Sequence, residues 1–335
     1  MNYYQKKLAA EKKKKKLGAI VLAVFIFLVL CFSVFSLFVP EESWKYYLGL
    51  PKVSERKEGE LRIHFLDVGQ ADATLVEFPD DKTLLIDGGD VDGADKVLRY
   101  LNALKIDRLD YLLLTHTDTD HCGSLAEVVK YKEIGTAILP YLSSDGENNV
   151  AFENLGAALS KSKAEIKTAK RYLSFESNNS NYSYKFSILF PYSAESGGNH
   201  EYSGNELSTI SWLDYQGVNA LFCGDTNAKV LEKLQMEDKV GAFLEHGIDL
   251  KSIEILKYPH HGGADGATQE ILQYFNVKTS IISCGKNNYY GHPNEKTLSL
   301  LANNSVDVHR TDWQGDIVLT ISSDRTYKVE SRQKN

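Results

Sequence analysis

Residues 115–125, THTDTDHCGSL, constrain the fold more than any other stretch of this chain. An apolar run at 111–114 is typical of a β-strand, and a helical pattern begins after Ser124. A loop between the end of a strand and a helix can turn several side chains toward one point. Imidazole and carboxylate are the ligands of hydrolytic metal sites, and the loop holds four of them within six residues: His116, Asp118, Asp120 and His121. We therefore predict a metal site here, the alternative being a solvated polar loop that caps the helix.

The rest of the chain alternates between strand-like and helical patterns from residue 61 onward. We predict helices at 92–105 and 148–168, a hairpin that turns at Gln216-Gly217, and a last hairpin within 306–323. Mixed strands and helices over about 265 residues, with candidate ligands at strand ends, are typical of a layered α/β sandwich. The predicted hydrolase domain spans 61–325, with a short tail at 326–335.

Residues 17–39 form a run of 23 residues without a charge. At about 1.5 Å per residue, a helix of this length spans the ~30 Å hydrocarbon core of a bilayer. A cleaved signal peptide has a shorter apolar core, so we predict an uncleaved anchor. Seven lysines in residues 1–16 favour a cytoplasmic N-terminus by the positive-inside rule. The domain that follows a linker at 40–60 would then be extracellular, on a single-pass protein of the cell membrane.

The charge of the chain is unevenly distributed. The formal net charge is −7, and the residues after 16 carry 31 basic and 44 acidic side chains, a net of −13. Such a body repels polyanions, which argues against tight, non-specific binding to duplex nucleic acid. A phosphodiester substrate remains compatible with this charge, because bound divalent cations invert the local field.

Three later places add candidate ligands. Asp225 follows an apolar strand, the pair His260 and His261 follows another, and His292 precedes a proline at a helix start. Asp225 and His292 have an alternative role as helix caps. Between His121 and Asp225 the one histidine is His200, in a glycine-rich loop that also holds Asn205 and Glu206.

Cys31 lies in the apolar run and three more cysteines, Cys122, Cys223 and Cys284, lie in the domain. None forms a C-x-x-C pair, which argues against a structural zinc knuckle. We predict buried free thiols.

These residues, in this order, resemble the metallo-β-lactamase superfamily. HTDTDH stands where the superfamily has His-x-His-x-Asp-His, Asp225 where it has a bridging aspartate, and HHGG where it has a late histidine. A more specific resemblance is to the extracellular hydrolase-like domain of ComEC-type competence proteins, which take up DNA in bacteria. It covers residues 61–325 and is carried by FLDVGQADATLVEF, LLIDGG, HTDTDHCGSL, LKYPHHGG, YGHPN and RTDWQGDI.

The resemblance implies a four-layer αβ/βα sandwich with two divalent ions, manganese or zinc, at the rim of its sheets. Carried over by motif, the ligands are His116 and Asp118 for the first ion, Asp120, His121 and one of His260 and His261 for the second, and Asp225 for both. Asp118 in place of a histidine makes the first site richer in oxygen, which favours manganese over two tightly held zinc ions. Its third ligand is left open between His200, Asn205 and none.

The resemblance also implies hydrolysis by a hydroxide that bridges the two ions. We expect Asp120, His261 and His292 to take part in catalysis, with His292 or the non-ligating histidine of the pair protonating the leaving group. The expected substrate is a phosphodiester, either single-stranded DNA or a nucleotide. Two alternatives stay open: an envelope ester hydrolase of the phosphocholine esterase or lactonase type, and a non-catalytic surface protein with a degenerate metal site.

Overall fold

The computed structural model describes residues 3–38, 56–142, 149–177, 179, 181–192 and 201–331. Two compact units divide the chain, Met1–Ser54 and Glu55–Asn335. The candidate ligand His200 and most of the predicted linker at 40–60 lie outside the described residues.

The first unit contains one helix, α1, at Tyr3–Phe38. Its segment Lys12–Phe35 has a mean hydropathy of 3.0 and is exposed along its whole length, and it is long and apolar enough to cross a membrane. The lysines at 12–16 lie in the same helix, at the N-terminal end of this segment. A bilayer would cover the apolar side chains that this helix leaves bare.

The second unit contains fifteen strands among its described residues. Strands β1 to β15 are Leu61–Phe65, Thr74–Glu77, Thr83–Ile86, Arg108–Leu113, Glu133–Leu139, Glu165–Thr168, Ser174–Glu176, Tyr184–Phe190, Ile210–Tyr215, Val218–Phe222, Ile253–Lys257, Thr279–Ile282, Asp307–Arg310, Ile317–Ile321 and Tyr327–Ser331. Helices α2 to α9 are Ala94–Ala103, Thr119–Cys122, Leu125–Tyr131, Val150–Leu159, Ala228–Lys239, Gln269–Phe275, Glu295–Asn303 and Thr311–Gln314. Short 3-10 turns include His260–Gly262.

These strands form two mixed sheets. The first has the order β15-β14-β1-β2-β3-β4-β5-β6 and the second β13-β12-β11-β10-β9-β8-β7. Strands β3 to β6 run parallel to one another, and so do β10 to β13. The carboxyl ends of each parallel set therefore meet at one edge of its sheet, which is where the polar loops begin.

The period-two alternation of side chains along β1 shows how the layers form. Leu61, Ile63 and Phe65 are fully buried in a core cluster that contains residues of both sheets. Arg62 and His64 point to the opposite face, where the His64 ring makes hydrogen bonds with Tyr100 of α2 and with Glu77. Each large apolar side chain removed from water in this way contributes about 1.5–3 kcal/mol.

A second core cluster lies on the outer face of the second sheet. Leu231 of α6, Ile271 of α7 and Leu301 of α8 pack there with Leu221 and Leu256 of the strands. Helices therefore cover sheet faces that would otherwise expose apolar side chains. The predicted αβ/βα sandwich is confirmed.

Several predicted elements are wrong in detail. The segment predicted as a helix at 148–168 is helix α5 followed by strand β6, because α5 ends at Leu159 and the chain then joins the first sheet. The predicted hairpin within 306–323 does not form, since β13 pairs in the second sheet and β14 in the first. The true hairpin joins β14 to β15, so the first sheet continues beyond residue 325.

Candidate metal centre

The carboxyl ends of parallel strands bring the candidate ligands together. His116, Asp120 and His121 follow β4, Asp225 follows β10, and His261 follows β11. One ligand atom from each of four buried residues lies within 4.8 Å of the others, in a cluster made of Asp72, His121, Asp225 and His261. The convergence that the sequence predicts for His121, Asp225 and the histidine pair is therefore present in the fold.

Asp225 lies between two of the histidines. Its Oδ1 is 3.2 Å from His121 Nε2, and its Oδ2 is 3.3 Å from His261 Nε2. Asp120 Oδ2 is also 3.2 Å from His261 Nε2. Each oxygen of Asp225 thus faces a different imidazole.

The histidines are oriented by partners on their other ring nitrogen. His121 Nδ1 is 2.8 Å from Asp87 Oδ2, and His261 Nδ1 is 3.0 Å from the carbonyl oxygen of Ser283. Both acceptors favour a proton on Nδ1 and turn Nε2 toward the cluster. His116 Nδ1 lies 3.1 Å from the hydroxyl of Thr115.

Several buried atoms in this cluster and in the adjacent His116 have no hydrogen-bond partner among the described residues. They are His116 Nε2, His121 Nε2, Asp72 Oδ1 and Asp225 Oδ1. Buried polar atoms are normally satisfied, and orphaned nitrogen and oxygen atoms that point to one place fit a cation. The donor set of imidazole nitrogen and carboxylate oxygen suits zinc or manganese.

Electrostatics also favours a cation at this point. Burial lowers the pKa of His121, but the carboxylates of Asp225 and Asp87 outweigh it and place that pKa well above its usual range. Burial also lowers the pKa of His261, but Asp225 and Asp120 outweigh it and raise that pKa to about 10. Burial raises the pKa of Asp225, and the charges of His261 and His121 overcome this and hold it well below its usual range. The negative potential that retains these protons would also retain a divalent ion.

The first predicted ion position is more open. His116 Nε2 lies 3.7 Å from Asp118 Oδ2, and the Asp118 side chain is half exposed. Of the candidates in the 200–206 loop, Glu206 is bound by Lys229 and Asn227 at the start of α6. Asn205 is partly buried in a 3-10 turn beside it.

The structure distinguishes the two adjacent histidines. Both have left-handed backbone angles, with φ of 50° and 52°. His261 is buried against the cluster, whereas His260 is partly exposed, with Nδ1 3.5 Å from Asp265. The His292 ring lies 5.3 Å from that of His260 and 6.4 Å from that of His261. His261 belongs to the cluster, whereas His260 and His292 are partly exposed beside it, on a side of the site that we call its entrance.

The ligand loop is held against the segment that follows β3. Ser124, predicted as a helix N-cap, makes no side-chain cap, and its hydroxyl donates to the carbonyl oxygen of Gly88 instead. A Cβ on Gly123 would lie 2.4 Å from Val91 N and 2.5 Å from Thr119 O. The loop can therefore approach the backbone at 88–91 only because residue 123 is a glycine.

We expect Gly123→Ala to destabilise the protein by about 3 kcal/mol, because the backbone atoms it meets cannot move independently. Urea-induced unfolding would measure the loss. Gly156→Ala in α5 is a matched control, since a Cβ there meets no atom within 4 Å, and it should be neutral or stabilise by up to about 1 kcal/mol. Equal stabilities for the two variants would contradict the tight loop contact.

The cysteines of the domain are buried free thiols, as predicted, and Cys31 is exposed on α1. Burial raises the pKa of Cys122, Cys223 and Cys284 to about 12, which keeps them protonated and unreactive at neutral pH.

Three residues at the centre were missed by sequence analysis: Asp72, Asp87 and Lys257. Asp87 carried a usable signal, because it follows strand β3 as Asp225 follows β10. Asp72 precedes a strand, and Lys257 ends one within an apolar pattern, so neither stands at the position where ligands were sought.

Comparisons with known proteins agree with this geometry. The family model described as the metallo-β-lactamase superfamily matches residues 66–181, a range that includes the HTDTDH loop. ComE operon protein 3 of Bacillus subtilis is 30% identical over 281 residues, which cover 78% of this chain and 33% of that protein. Recombination protein 2 of Haemophilus influenzae is 24% identical over 277 residues, covering 82% and 30%. The chain thus spans about a third of the length of these relatives.

Among solved structures, a diphosphatase of the PhnP family matches with a TM-score of 0.42 and 13% identity, over 78% of this chain and 99% of that one. The family match, the two-sheet topology and the histidine–aspartate cluster at the strand ends agree with one another. Residues 66–181 match the metallo-β-lactamase superfamily, and the domain has a metallo-β-lactamase-like fold.

Proposed function

We propose that this protein is a membrane-anchored, outward-facing, metal-dependent phosphodiesterase that acts on single-stranded DNA or a nucleotide. The observation that carries the proposal is the buried cluster of His121, His261 and Asp225, in which His121 Nε2 and Asp225 Oδ1 have no hydrogen-bond partner among the described residues. Similarity to a competence protein over most of the domain supports a nucleic-acid substrate. Helix α1, with its basic start, supports an anchor whose N-terminus is cytoplasmic.

The proposed ligands are those that the motifs imply. His116 and Asp118 would hold one ion, Asp120, His121 and His261 the other, and Asp225 would lie between both. When bound, two divalent ions supply Lewis acidity to a phosphoryl oxygen and an activated water. Asp87 and the Ser283 carbonyl fix the orientation of the His121 and His261 rings. These two ligands would therefore need little rearrangement when ions bind.

His260 and His292 are assigned to the substrate. Both lie at the entrance with their rings 5.3 Å apart, and neither belongs to the buried cluster. His292 Nδ1 is buried without a hydrogen bond. A proton carried by the His292 imidazole could be donated to the leaving oxygen of the substrate.

The loop that carries His292 also presents aromatic rings to solvent. Tyr289 is 99% exposed and Tyr290 is 70% exposed, while the Asn288 side chain holds the carbonyl oxygens of Gly285 and His292. Exposed rings on a fixed loop are a surface on which unpaired bases can stack. This arrangement favours a single strand over a duplex as substrate.

We expect the full-length protein, purified in detergent and supplied with manganese, to hydrolyse bis-p-nitrophenyl phosphate and a single-stranded oligonucleotide. Chelation should abolish both activities, because the residues of the cluster cannot activate water without the ions. Release of nitrophenolate and gel analysis of the oligonucleotide would measure the result. Intact cells that display the protein should cleave added oligonucleotide without lysis if the domain faces outward.

A panel with p-nitrophenylphosphocholine and a lactone provides the contrast. Faster turnover of either compound than of the phosphodiesters would replace the proposed substrate with an envelope ester. Absence of all four activities in a protein that binds manganese would favour a non-catalytic surface protein.

A further inference from the structure

Asp72 is a buried carboxylate in the metal cluster. None of the ligand roles that the sequence motifs imply falls on this residue. It lies on the connection between β1 and β2, and its side chain is 6% exposed. Its ligand atom is within 4.8 Å of those of His121, Asp225 and His261. Asp72 is therefore as close to the proposed second ion position as the residues that the motifs identify.

The two oxygens of this carboxylate have different surroundings. Oδ2 accepts a hydrogen bond from Lys257 Nζ at 2.8 Å, and that side chain is 4% exposed. Oδ1 is buried and has no hydrogen-bond partner among the described residues. If the Asp72–Lys257 pair only tied the two sheets together, nothing would compensate the desolvation of Asp72 Oδ1.

The backbone around Asp72 is fixed to both sides of the site. Asp72 N donates to the carbonyl oxygen of Asp120 at 3.1 Å, which ties it to the ligand loop. The side chain of Gln70 accepts a hydrogen bond from Gly285 N at 2.9 Å, on the loop that leads to His292. The carboxylate is thus held in place without needing an ion to order it.

We propose that Asp72 is an additional ligand of the second metal position, held by Lys257, and that it selects manganese over zinc there. Zinc is satisfied by four ligands and accepts imidazole nitrogen readily, whereas manganese takes more ligands and prefers oxygen. A fifth protein group that supplies a hard oxygen therefore benefits manganese more. Lys257 offsets the charge of the carboxylate and leaves one of its oxygens free for the cation.

This inference rests on the metal site of the proposed function and is independent of the substrate. The test measures manganese and zinc affinity of the metal-free, full-length protein in detergent by isothermal titration calorimetry. We expect Asp72→Asn to weaken manganese binding at one of two sites by about 10- to 100-fold, the range by which groups around a metal act, and zinc binding by much less. Asp67→Asn, on the same connection and partly exposed, should leave both affinities unchanged.

A second variant separates a ligand from a purely structural pair. Lys257→Met removes the competing cation, so manganese should bind at least as tightly as in the unaltered protein and should raise the melting temperature by more. A structural role predicts instead that both variants lose stability and that manganese and zinc affinities change in parallel. This second comparison still decides the question if Asp72→Asn does not fold.

The possible outcomes distinguish this inference from the proposed function. An unchanged manganese-to-zinc affinity ratio in folded Asp72→Asn would overturn the assignment of Asp72, whatever the protein hydrolyses. Failure of the unaltered protein to bind divalent ions would overturn the assignment together with the metal site. A shifted ratio in a protein that cleaves no phosphodiester would uphold the assignment and refute the proposed substrate.

Discussion

Asp225→Asn is expected to lower kcat/KM for phosphodiester hydrolysis by about 10³-fold or more, the order contributed by one well-placed electrostatic group. The reason is the position of Asp225, whose two oxygens lie 3.2 and 3.3 Å from the Nε2 atoms of His121 and His261. The amide of asparagine keeps the size of the side chain but removes the negative charge and one acceptor. Steady-state kinetics with bis-p-nitrophenyl phosphate would measure the change.

Metal content should fall in the same variant. Because Asp225 is proposed to lie between both ions, we expect the number of bound ions per chain to drop from two to at most one. Asp214→Asn is a suitable control, since Asp214 lies at the opposite end of the β9-β10 hairpin, paired with Asn219. Full activity and two bound ions in Asp225→Asn would show that Asp225 does not bridge the centre.

Asp87→Ala is expected to reduce the free energy of unfolding by about 3–5 kcal/mol, the cost of removing one partner from a buried pair. Asp87 is buried and accepts hydrogen bonds from Thr115 N and Thr115 Oγ1, both at 2.8 Å, in addition to its contact with His121 Nδ1. Alanine removes the acceptor from all three groups, of which the Thr115 hydroxyl keeps a close partner, His116 Nδ1 at 3.1 Å. Urea-induced unfolding of the metal-free protein would measure this loss.

Metal affinity should fall by about 10- to 100-fold in Asp87→Ala, because the His121 ring loses the partner that fixes its tautomer and direction. Asp87→Asn separates the two effects. Its amide oxygen can still accept from Thr115 N, so the loss of stability should be smaller, while the carboxylate that orients His121 is gone. Normal metal affinity in Asp87→Asn would contradict the orienting role and leave Asp87 a purely structural residue.

The sequence by itself was sufficient for the features that depend on local order along the chain. Asp225 was predicted because it follows an apolar strand, and His121 because four potential ligands lie within six residues of the loop after another strand. Parallel strands bring such loops to one edge. Helix α1 was predicted because a long uncharged run has few structural alternatives in a membrane. The strand-like pattern predicted from residue 61 onward begins where β1 begins.

Only the tertiary structure shows which of the two adjacent histidines lies in the cluster. His260 and His261 are indistinguishable as a pair of letters, and both have left-handed backbone angles. Which ring enters the cluster depends on the Ser283 carbonyl, which holds His261 from a neighbouring strand end, and on Asp265, which lies beside His260. The strand at 307–310 and the strand at 317–321 likewise read as one hairpin until each is seen to pair in a different sheet.

Contacts between distant residues were decided by the tertiary structure alone. Lys257 and Asp72 are far apart along the chain, yet their charged groups are 2.8 Å apart and buried. No local sequence pattern predicts such a pair. A buried lysine is tolerated only because a partner offsets its desolvation cost, and here that partner is distant along the chain. The order of the residues was therefore enough to predict a metal-binding cluster. Which further groups surround that cluster depended on how the two sheets pack.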